Sequence, residues 1–137
     1  MSDSDVLLLD SGVWIATRDV KDRWEAASRE LAFGEERATG ALDLTLYEVA
    51  NAVGRKWRQQ AEAVELCRSV ERLCAQRLVR MDGDLIRTTV EIALEYRLTS
   101  YDAAYVAVAR RHDWTLVSTD IRDLVSKGLA ITPDAAV

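Results

Sequence analysis

The sequence predicts an α/β fold, a three-layer α/β/α sandwich whose short central sheet is mostly parallel. Short unbroken apolar runs, such as those within Val6–Asp10 and Thr115–Ser118, are typical of strands buried on both faces. Longer amphipathic or apolar segments of helical length lie between these runs. The alternation of the two kinds of segment indicates parallel strands with helices on both sides of the sheet.

The composition fits one globular domain that spans residues 1–137. The chain has 137 residues, 49% of them apolar and only one proline, which favours a real hydrophobic core over disorder. No apolar run approaches the roughly 20 residues that cross a bilayer, and the acidic start M-S-D-S-D is unlike a signal peptide. We therefore expect a cytoplasmic protein. Cys67 and Cys74 are roughly 10 Å apart on a predicted helix, so we expect free thiols.

The first half of the chain is predicted to contain two strands and four helices. Ser11 and Gly12 form a turn after the first strand, and Gly34 ends the second helix. Gly40 weakens the second strand, and either Asp43 or Thr45 caps the helix that follows it. The predicted strands are Val6–Asp10 and Arg37–Leu42, and the predicted helices are Val13–Thr17, Lys21–Phe33, Asp43–Gln59 and Ala61–Ala75.

The second half continues the alternation. Either Asp82 or Asp84 caps a helix that ends at Tyr96, and Gly128 closes the last helix. The predicted strands are Leu78–Met81, Thr115–Ser118 and Leu129–Thr132, and the predicted helices are Asp82–Tyr96, Ser100–Asp113 and Ile121–Lys127.

The helix that follows Ser100 contains the unbroken apolar run A-A-Y-V-A-V-A at Ala103–Ala109 and is therefore expected to be buried on all sides. Ser100 is the predicted N-cap, which places Asp102 in the first turn, where the helix dipole favours a carboxylate. A carboxylate in that position often does no more than start a helix. Other acids, which are expected at the same edge of the sheet, indicate a further role for Asp102.

Asp10 and Asp120 follow the carboxyl ends of two predicted buried strands, and Asp102 begins a buried helix at the same edge of the sheet. Glu48, from the helix after the second strand, either points into this region or lies on a solvated face. Two carboxylates about 5 Å apart repel by roughly 3 kcal/mol at an effective dielectric of about 20. Mg²⁺ or Mn²⁺ would compensate that repulsion, and such ions hydrolyse phosphodiesters without any histidine.

Four segments in this order resemble the PIN-domain ribonucleases, and most closely the VapC-type toxins of prokaryotic toxin–antitoxin pairs. The resemblance extends from Val6 to Thr132, and the segments read L-L-L-D-S-G-V-W, L-T-L-Y-E-V-A-N-A-V, L-T-S-Y-D-A-A-Y-V-A-V-A and L-V-S-T-D-I-R-D-L. It implies a PIN-like fold and assigns the catalytic and metal-binding roles to the acidic quartet Asp10, Glu48, Asp102 and Asp120.

Four further positions match the resemblance or lie beside it. Ser11 matches the hydroxyl residue after the first acid, and Thr119 matches the polar residue before the last. Asn51 matches a position often occupied by Asn beside the site. Asp123 is an additional acid one turn from Asp120, although acids in a first helical turn are common for dipole reasons alone.

The resemblance implies a Mg²⁺- or Mn²⁺-dependent endoribonuclease that cuts structured RNA, such as transfer or ribosomal RNA, and blocks translation. It also implies a cognate antitoxin, a homodimer, and a heterotetramer or larger assembly with that antitoxin. The net charge of −5 does not exclude RNA, since basic residues can cluster locally. Three clusters either contact RNA phosphates or form ordinary solvated faces, namely Arg18, Lys21 and Arg23, then Arg55, Lys56 and Arg58, and finally Arg110 and Arg111.

Other functions fit the residues less well. A phosphatase of this general fold would have D-x-D after the first strand, where this chain has D-S-G. A receiver domain would have a phosphoacceptor at Asp82 and a later lysine, for which Lys127 is poorly placed. Two further alternatives remain, a non-catalytic binding module of the same fold and a PIN nuclease that processes RNA without being a toxin.

Overall fold

The computed structural model describes residues 5–137 and contains a central sheet of four short parallel strands. Their order across the sheet is β3-β2-β1-β4. Leu8 of β1 lies opposite Gly40 of β2 on one side and Leu116 of β4 on the other. The predicted parallel sheet is confirmed. The strands are β1 (Leu7–Leu9), β2 (Thr39–Leu42), β3 (Leu78–Val79) and β4 (Thr115–Val117).

Helices connect the strands and cover both faces of the sheet. Two further helical segments are wide π-helical turns, Ala50–Lys56 directly after α3 and Ile121–Val125 after β4. A short 3₁₀ turn, Ala75–Arg77, leads into β3. The α-helices are α1 (Ser11–Ala16), α2 (Glu25–Phe33), α3 (Asp43–Val49), α4 (Gln60–Cys74), α5 (Gly83–Tyr96), α6 (Ser100–His112) and α7 (Pro133–Ala136).

The hydrophobic core has two halves, one on each face of the sheet. Side chains alternate along a strand, so Leu7 and Leu9 pack into one half and Leu8 into the other. The first half includes side chains of α1 to α4, such as Leu66, and the second includes those of α5 and α6, such as Val108. This is the three-layer α/β/α arrangement that the sequence predicts.

Gly40 has a packing role in β2 that explains its presence in a buried strand. A Cβ at this position would lie 2.6 Å from Cζ3 of Trp114, so any larger residue would displace the indole. Trp114 in turn stacks on the imidazole of His112, with the ring centroids 4.4 Å apart. The missing side chain therefore lets the end of α6 pack closely against the sheet.

Several predicted boundaries are wrong. Thr99, not Ser100, is the N-cap of α6, because its Oγ1 accepts the Asp102 N–H at 3.1 Å. The predicted strand Leu129–Thr132 is reduced to a single parallel bridge between Ile131 and Val117. The second helix begins at Glu25 rather than at Lys21, since Asp22 accepts the Trp24 N–H in a preceding turn. The short helix α7 has no counterpart among the predicted elements.

Two further observations concern the whole described chain. No helix among residues 5–137 combines the length and the apolarity that crossing a membrane requires. Cys67 and Cys74 are both free thiols, as expected. Cys74 is fully buried, and its Sγ lies 3.7 Å from the hydroxyl of Thr39.

Candidate metal centre

Asp10 lies where β1 ends and α1 begins, and it is fixed by both elements. Its backbone N–H donates to the Val117 carbonyl of β4 at 3.1 Å, and its Oδ1 accepts the Val13 N–H at 3.2 Å as the N-cap of α1. The residue is only 7% exposed. Asp10 is therefore a buried carboxylate held at the carboxyl edge of the sheet.

The segment after β4 approaches Asp10 from the neighbouring strand. Ser118 is completely buried, its Oγ accepts the Asp120 N–H at 2.9 Å, and its side chain also forms a hydrogen bond with Asp10. Gly12 makes this approach possible, because a Cβ there would clash with Oγ1 of Thr119 and lie 3.3 Å from Oδ1 of Asp10. The two strand ends are thus held in direct contact.

Three acids at this edge form a close cluster. One carboxylate oxygen from each of Asp102, Asp120 and Asp123 lies within 4.8 Å of the other two. Asp120 caps the π-helical turn, since its Oδ1 accepts the Asp123 N–H at 2.9 Å. Asp102 enters the cluster from the first turn of α6, where the sequence predicts it.

Glu48 approaches the cluster from α3. The hydroxyl of Tyr105, on α6, donates to its Oε1 at 2.7 Å. Glu48 is half-buried, and its charge acts on both Asp10 and Asp102. Glu48 is therefore hydrogen-bonded on the side of α6 and lies near enough to Asp10 and Asp102 for its charge to act on them, which favours the interpretation that it points into this region.

The electrostatics show how closely the acids are coupled. Burial raises the pKa of Asp10 from its ordinary 3.8 to about 7, and the charges of Glu48 and Asp102 add to the rise. Burial likewise raises the pKa of Asp102 to about 6, and the charges of Asp120, Asp123 and Glu48 reinforce it, with Lys127 opposing. Without a cation, the site resists holding all its carboxylates ionised.

The residues present fit a hard divalent cation. Asp10, Asp102 and Asp120 form no salt bridge with any residue in the described range 5–137, and the nearest cationic contact of Asp123 is Nε of Arg122 at 4.0 Å. All the converging donors are carboxylate or hydroxyl oxygens, which suit Mg²⁺ and Mn²⁺ rather than Zn²⁺. Clustered carboxylates with so little compensation from basic residues are the arrangement that a bound divalent ion neutralises.

Comparison with known proteins decides the family. The sequence profile of the PIN domain matches residues 7–126. The chain belongs to the PIN-domain family.

Relatives of this PIN domain point to one group within the family. Ribonuclease VapC3 of Pyrobaculum aerophilum is 30% identical over 132 residues, which cover 93% of this chain and 98% of the relative. This makes the chain a VapC-like PIN ribonuclease and confirms the resemblance to VapC-type toxins.

Solved structures share the fold of this PIN domain. A toxin–antitoxin complex from Klebsiella pneumoniae superimposes with a TM-score of 0.70 at 18% identity, and covers 93% of this chain and 97% of that chain. VapC20 of Mycobacterium tuberculosis, described as a toxin that cleaves the sarcin-ricin loop, superimposes with a TM-score of 0.65 at 17% identity, and covers 83% and 91%.

An open groove of this PIN domain is lined by one of the acids, Glu48. It has a volume of about 460 Å³ and runs along α1 and α3, with Ser11, Glu48 and Asn51 in its wall. Lys56 lies in the same groove, and within residues 5–137 it forms no salt bridge. The predicted secondary residues Ser11 and Asn51 therefore share a groove with Glu48, and Lys56 is the basic residue that lines the same groove.

Most of the other predicted basic clusters make contacts within the protein. Arg18 pairs with Glu62 at 3.2 Å, Arg111 pairs with Asp82 at 3.3 Å, and Arg110 donates to the hydroxyl of Tyr96 at 3.2 Å. Arg23 lies over the ring of Trp24, 4.1 Å from its centroid. Lys21, Arg55 and Arg58 form no salt bridge in the described part of the chain. The structure thus distinguishes basic residues that contact other groups of the protein from those that form no salt bridge in the described part of the chain, which their sequence spacing does not.

Sequence reasoning missed three hydroxyl residues of this site, Thr45, Tyr105 and Ser118. Thr45 is predicted only as a helix cap, and Tyr105 and Ser118 only as parts of apolar elements. A signal was nevertheless present for Tyr105, because a tyrosine within a wholly buried run requires a partner for its hydroxyl. Glu48, 57 residues away, accepts that hydrogen bond.

Proposed function

We propose that this protein is a Mg²⁺- or Mn²⁺-dependent endoribonuclease, the toxin of a toxin–antitoxin pair. In this proposal it hydrolyses phosphodiester bonds in structured RNA, such as transfer or ribosomal RNA, and thereby inhibits translation in the cytoplasm. The observation that carries the proposal is the convergence of Asp102, Asp120 and Asp123 within 4.8 Å, with no basic residue among residues 5–137 paired to the first two. The sarcin-ricin loop named for the similar VapC20 supports ribosomal RNA as a substrate class.

The proposed metal ligands are Asp10, Asp102 and Asp120, together with Glu48. Asp123 is an additional ligand in this proposal, because its carboxylate lies in the same cluster. A divalent ion supplies a polarised water as nucleophile and stabilises the leaving oxygen of a phosphodiester. Once a bound cation compensates their charges, the carboxylates are ionised at neutral pH and therefore donate no proton.

The chain's other residues orient the substrate and the acids. Lys56 contacts a backbone phosphate along the groove, where it forms no salt bridge with any other described residue. Ser118 and Tyr105 hold the carboxylates of Asp10 and Glu48. His112 takes no part, because it lies at the opposite end of α6 from Asp102, about 15 Å along the helix axis, and stacks on Trp114.

We further propose that a cognate antitoxin binds this protein, as the Klebsiella relative is described as a toxin–antitoxin complex. A homodimer, and a heterotetramer or larger assembly with antitoxin, are part of the same proposal. An exposed apolar surface, here called the α5 patch, supports the dimer. It consists of Tyr47, Ile86, Val90, Leu94 and Tyr101, which are 44% to 78% exposed.

The test is RNA cleavage by the purified protein. We expect Mg²⁺ or Mn²⁺ to support the cleavage of transfer RNA or ribosomes, and EDTA to abolish it. Asp10→Asn and Asp102→Asn are each expected to reduce cleavage to background, because a proposed ligand loses its charge. Asp84→Asn is the matched control, since Asp84 is an exposed acid that pairs with Arg87 on α5.

Two outcomes would contradict the proposal. Undiminished cleavage by Asp10→Asn or Asp102→Asn would remove the carboxylate mechanism. Absence of cleavage by the wild-type protein with every RNA and metal would favour a non-catalytic binding module. Expression with and without the neighbouring open reading frame separates a toxin from an RNA-processing nuclease, because only a toxin needs its antitoxin for the cell to grow.

A further inference from the structure

A chain of hydrogen bonds connects the end of β2 to Glu48. The Leu42 N–H donates to Oγ1 of Thr45 at 3.2 Å, the hydroxyls of Thr45 and Tyr105 are 2.9 Å apart, and the Tyr105 hydroxyl donates to Oε1 of Glu48 at 2.7 Å. Thr45 is fully buried and Tyr105 is only 2% exposed. Solvent is therefore excluded from the two hydroxyls in the middle of the chain.

The direction of this chain follows from the chemistry of its members. A backbone amide only donates, so the oxygen of Thr45 accepts at that end. The single proton of Tyr105 goes to Glu48, so the hydroxyl bond between the two residues is donated by Thr45. A phenol is protonated at neutral pH, so the Tyr105 hydroxyl has a proton to donate.

We propose that Tyr105, oriented by Thr45, is a positioning residue that holds Glu48 through Oε1 and leaves Oε2 as the oxygen available to a divalent cation. This inference rests on the proposed function. Within residues 5–137, Oε2 of Glu48 accepts no hydrogen bond. Glu48 would accordingly contribute one fixed oxygen rather than a rotating pair.

The packing of α6 supports a functional reason for the hydroxyl. Tyr105 lies within the buried run Ala103–Ala109, where a phenylalanine would fill almost the same volume. A buried hydroxyl stabilises nothing by itself, and its burial is unfavourable unless it is hydrogen-bonded. Both of its partners, Thr45 and Glu48, belong to α3. The chain thus couples the buried helix α6 to the orientation of one acid.

Direct measurement of Mn²⁺ binding tests the proposal without any activity assay. Loss of an outer partner of a metal ligand typically costs about 10- to 100-fold in metal affinity. We therefore expect Tyr105→Phe to weaken Mn²⁺ binding by about 10-fold or more, as measured by titration calorimetry or by the electron paramagnetic resonance of free Mn²⁺. Unfolding in EDTA verifies that the variant is folded.

Three comparisons separate positioning from a general structural effect. Tyr96→Phe is the matched control, because the Tyr96 hydroxyl accepts from Arg110 at the other end of α6, and it should leave affinity unchanged. Thr45→Val should weaken binding and Thr45→Ser should restore it, since serine keeps the donor. In a Glu48→Ala background, Tyr105→Phe should cause no further loss, because the group it acts through is gone.

Each result supports or overturns the positioning role. Wild-type affinity in a folded Tyr105→Phe variant overturns it, and so does an equal loss with and without Glu48. If Tyr105→Phe does not fold, the Thr45 pair decides: weaker binding with valine and recovery with serine support the role, and equal affinities overturn it. A wild-type protein that binds no Mn²⁺ contradicts the proposed function itself, whereas wild-type binding with unaffected variants overturns only the inference.

Discussion

Asp10 is the residue at which folding and the proposed chemistry are most directly opposed. It caps α1 and bonds to β4, so the fold requires it at the sheet edge. Burial nevertheless raises its pKa from 3.8 to about 7. At a pH between the two pKa values, the carboxyl keeps its proton in the folded state and has lost it in the unfolded chain. Its ionisation therefore destabilises the cation-free protein.

The pH dependence of stability in EDTA tests this account of Asp10. The folded state holds the extra proton between its ordinary pKa of 3.8 and the raised value of about 7. The contribution of Asp10 to the free energy of unfolding should therefore fall as the pH rises through that window, by on the order of 4 kcal/mol in all. Asp10→Asn, which cannot ionise, should be more stable than the wild type at neutral pH and similar to it below the window.

Urea unfolding of both proteins at several pH values provides the measurement, and the difference between them removes the titration of groups that do not interact with Asp10. Asp102, whose pKa is also raised, is present in both proteins, and its own contribution to stability falls with rising pH in the same direction. A wild-type protein that loses no stability relative to Asp10→Asn across the window would contradict the account.

Single residues also show where the sequence was informative. Asp102 could be placed in the first turn of a buried helix because helix caps and dipoles act locally. The bond between Tyr105 and Glu48 joins residues 57 apart in the chain, and no local rule predicts such a pairing. The same limit applies to Ser118 and Asp10, which meet only because β4 lies beside β1.

At the level of elements, the start of α6 is the sharpest disagreement with the sequence analysis. Thr99 and Ser100 are both good cap residues, and propensity alone does not separate them. The backbone decides, because Thr99 has an extended conformation with φ −65° and ψ 157° and Ser100 is already helical. A shift of one residue moves neither Asp102 out of the first turn nor the helix out of the core.

Two alanine substitutions test that assignment. Thr99→Ala should lower the free energy of unfolding by about 1 kcal/mol, because the Asp102 N–H loses its acceptor. Ser100→Ala is the control and should have little effect, since both residues are exposed. Thermal or urea unfolding provides the comparison. A larger loss with Ser100→Ala than with Thr99→Ala would show that Ser100 is the cap after all.

The accuracy with which the other elements could be predicted depends on how clearly their sequences indicate burial. The strands β1 and β4 were predicted to within one or two residues, since unbroken apolar runs indicate burial on both faces. The π-helical turn Ala50–Lys56 after α3 was not predicted, and its first residue, Ala50, is exposed. The short helix α7 has four residues and lacks any periodicity to detect.

For the molecule as a whole, the topology places acids that are distant in the chain at one edge of the sheet. The strands β1 and β4 are neighbours although more than 100 residues separate them, as the pairing of Leu8 with Leu116 shows. Parallel neighbours end at the same edge, so Asp10 and Asp120 both follow strands that end there. The alternation of strands and helices was sufficient to predict this edge, but not the distances within the cluster.

The proposed dimer belongs to the same scale. Tyr47, Ile86 and Tyr101 line one apolar groove, and Leu94 extends the α5 patch along its helix. We expect sedimentation equilibrium to show a dimer for the wild type and a monomer for Leu94→Glu, which introduces a charge at the patch. Val20→Glu is the control, because Val20 is 85% exposed outside the patch. A monomeric wild type, or a dimeric Leu94→Glu variant, would contradict the proposed interface.

The acids at the sheet edge are proposed to hold a divalent cation. Anomalous diffraction from a crystal soaked in Mn²⁺ would locate such an ion without any assay of activity. We expect manganese density bounded by the carboxylates of Asp10, Asp102 and Asp120, and its absence in a crystal of Asp102→Asn. Manganese bound only elsewhere on the molecule, with those three carboxylates uncoordinated, would contradict the claim.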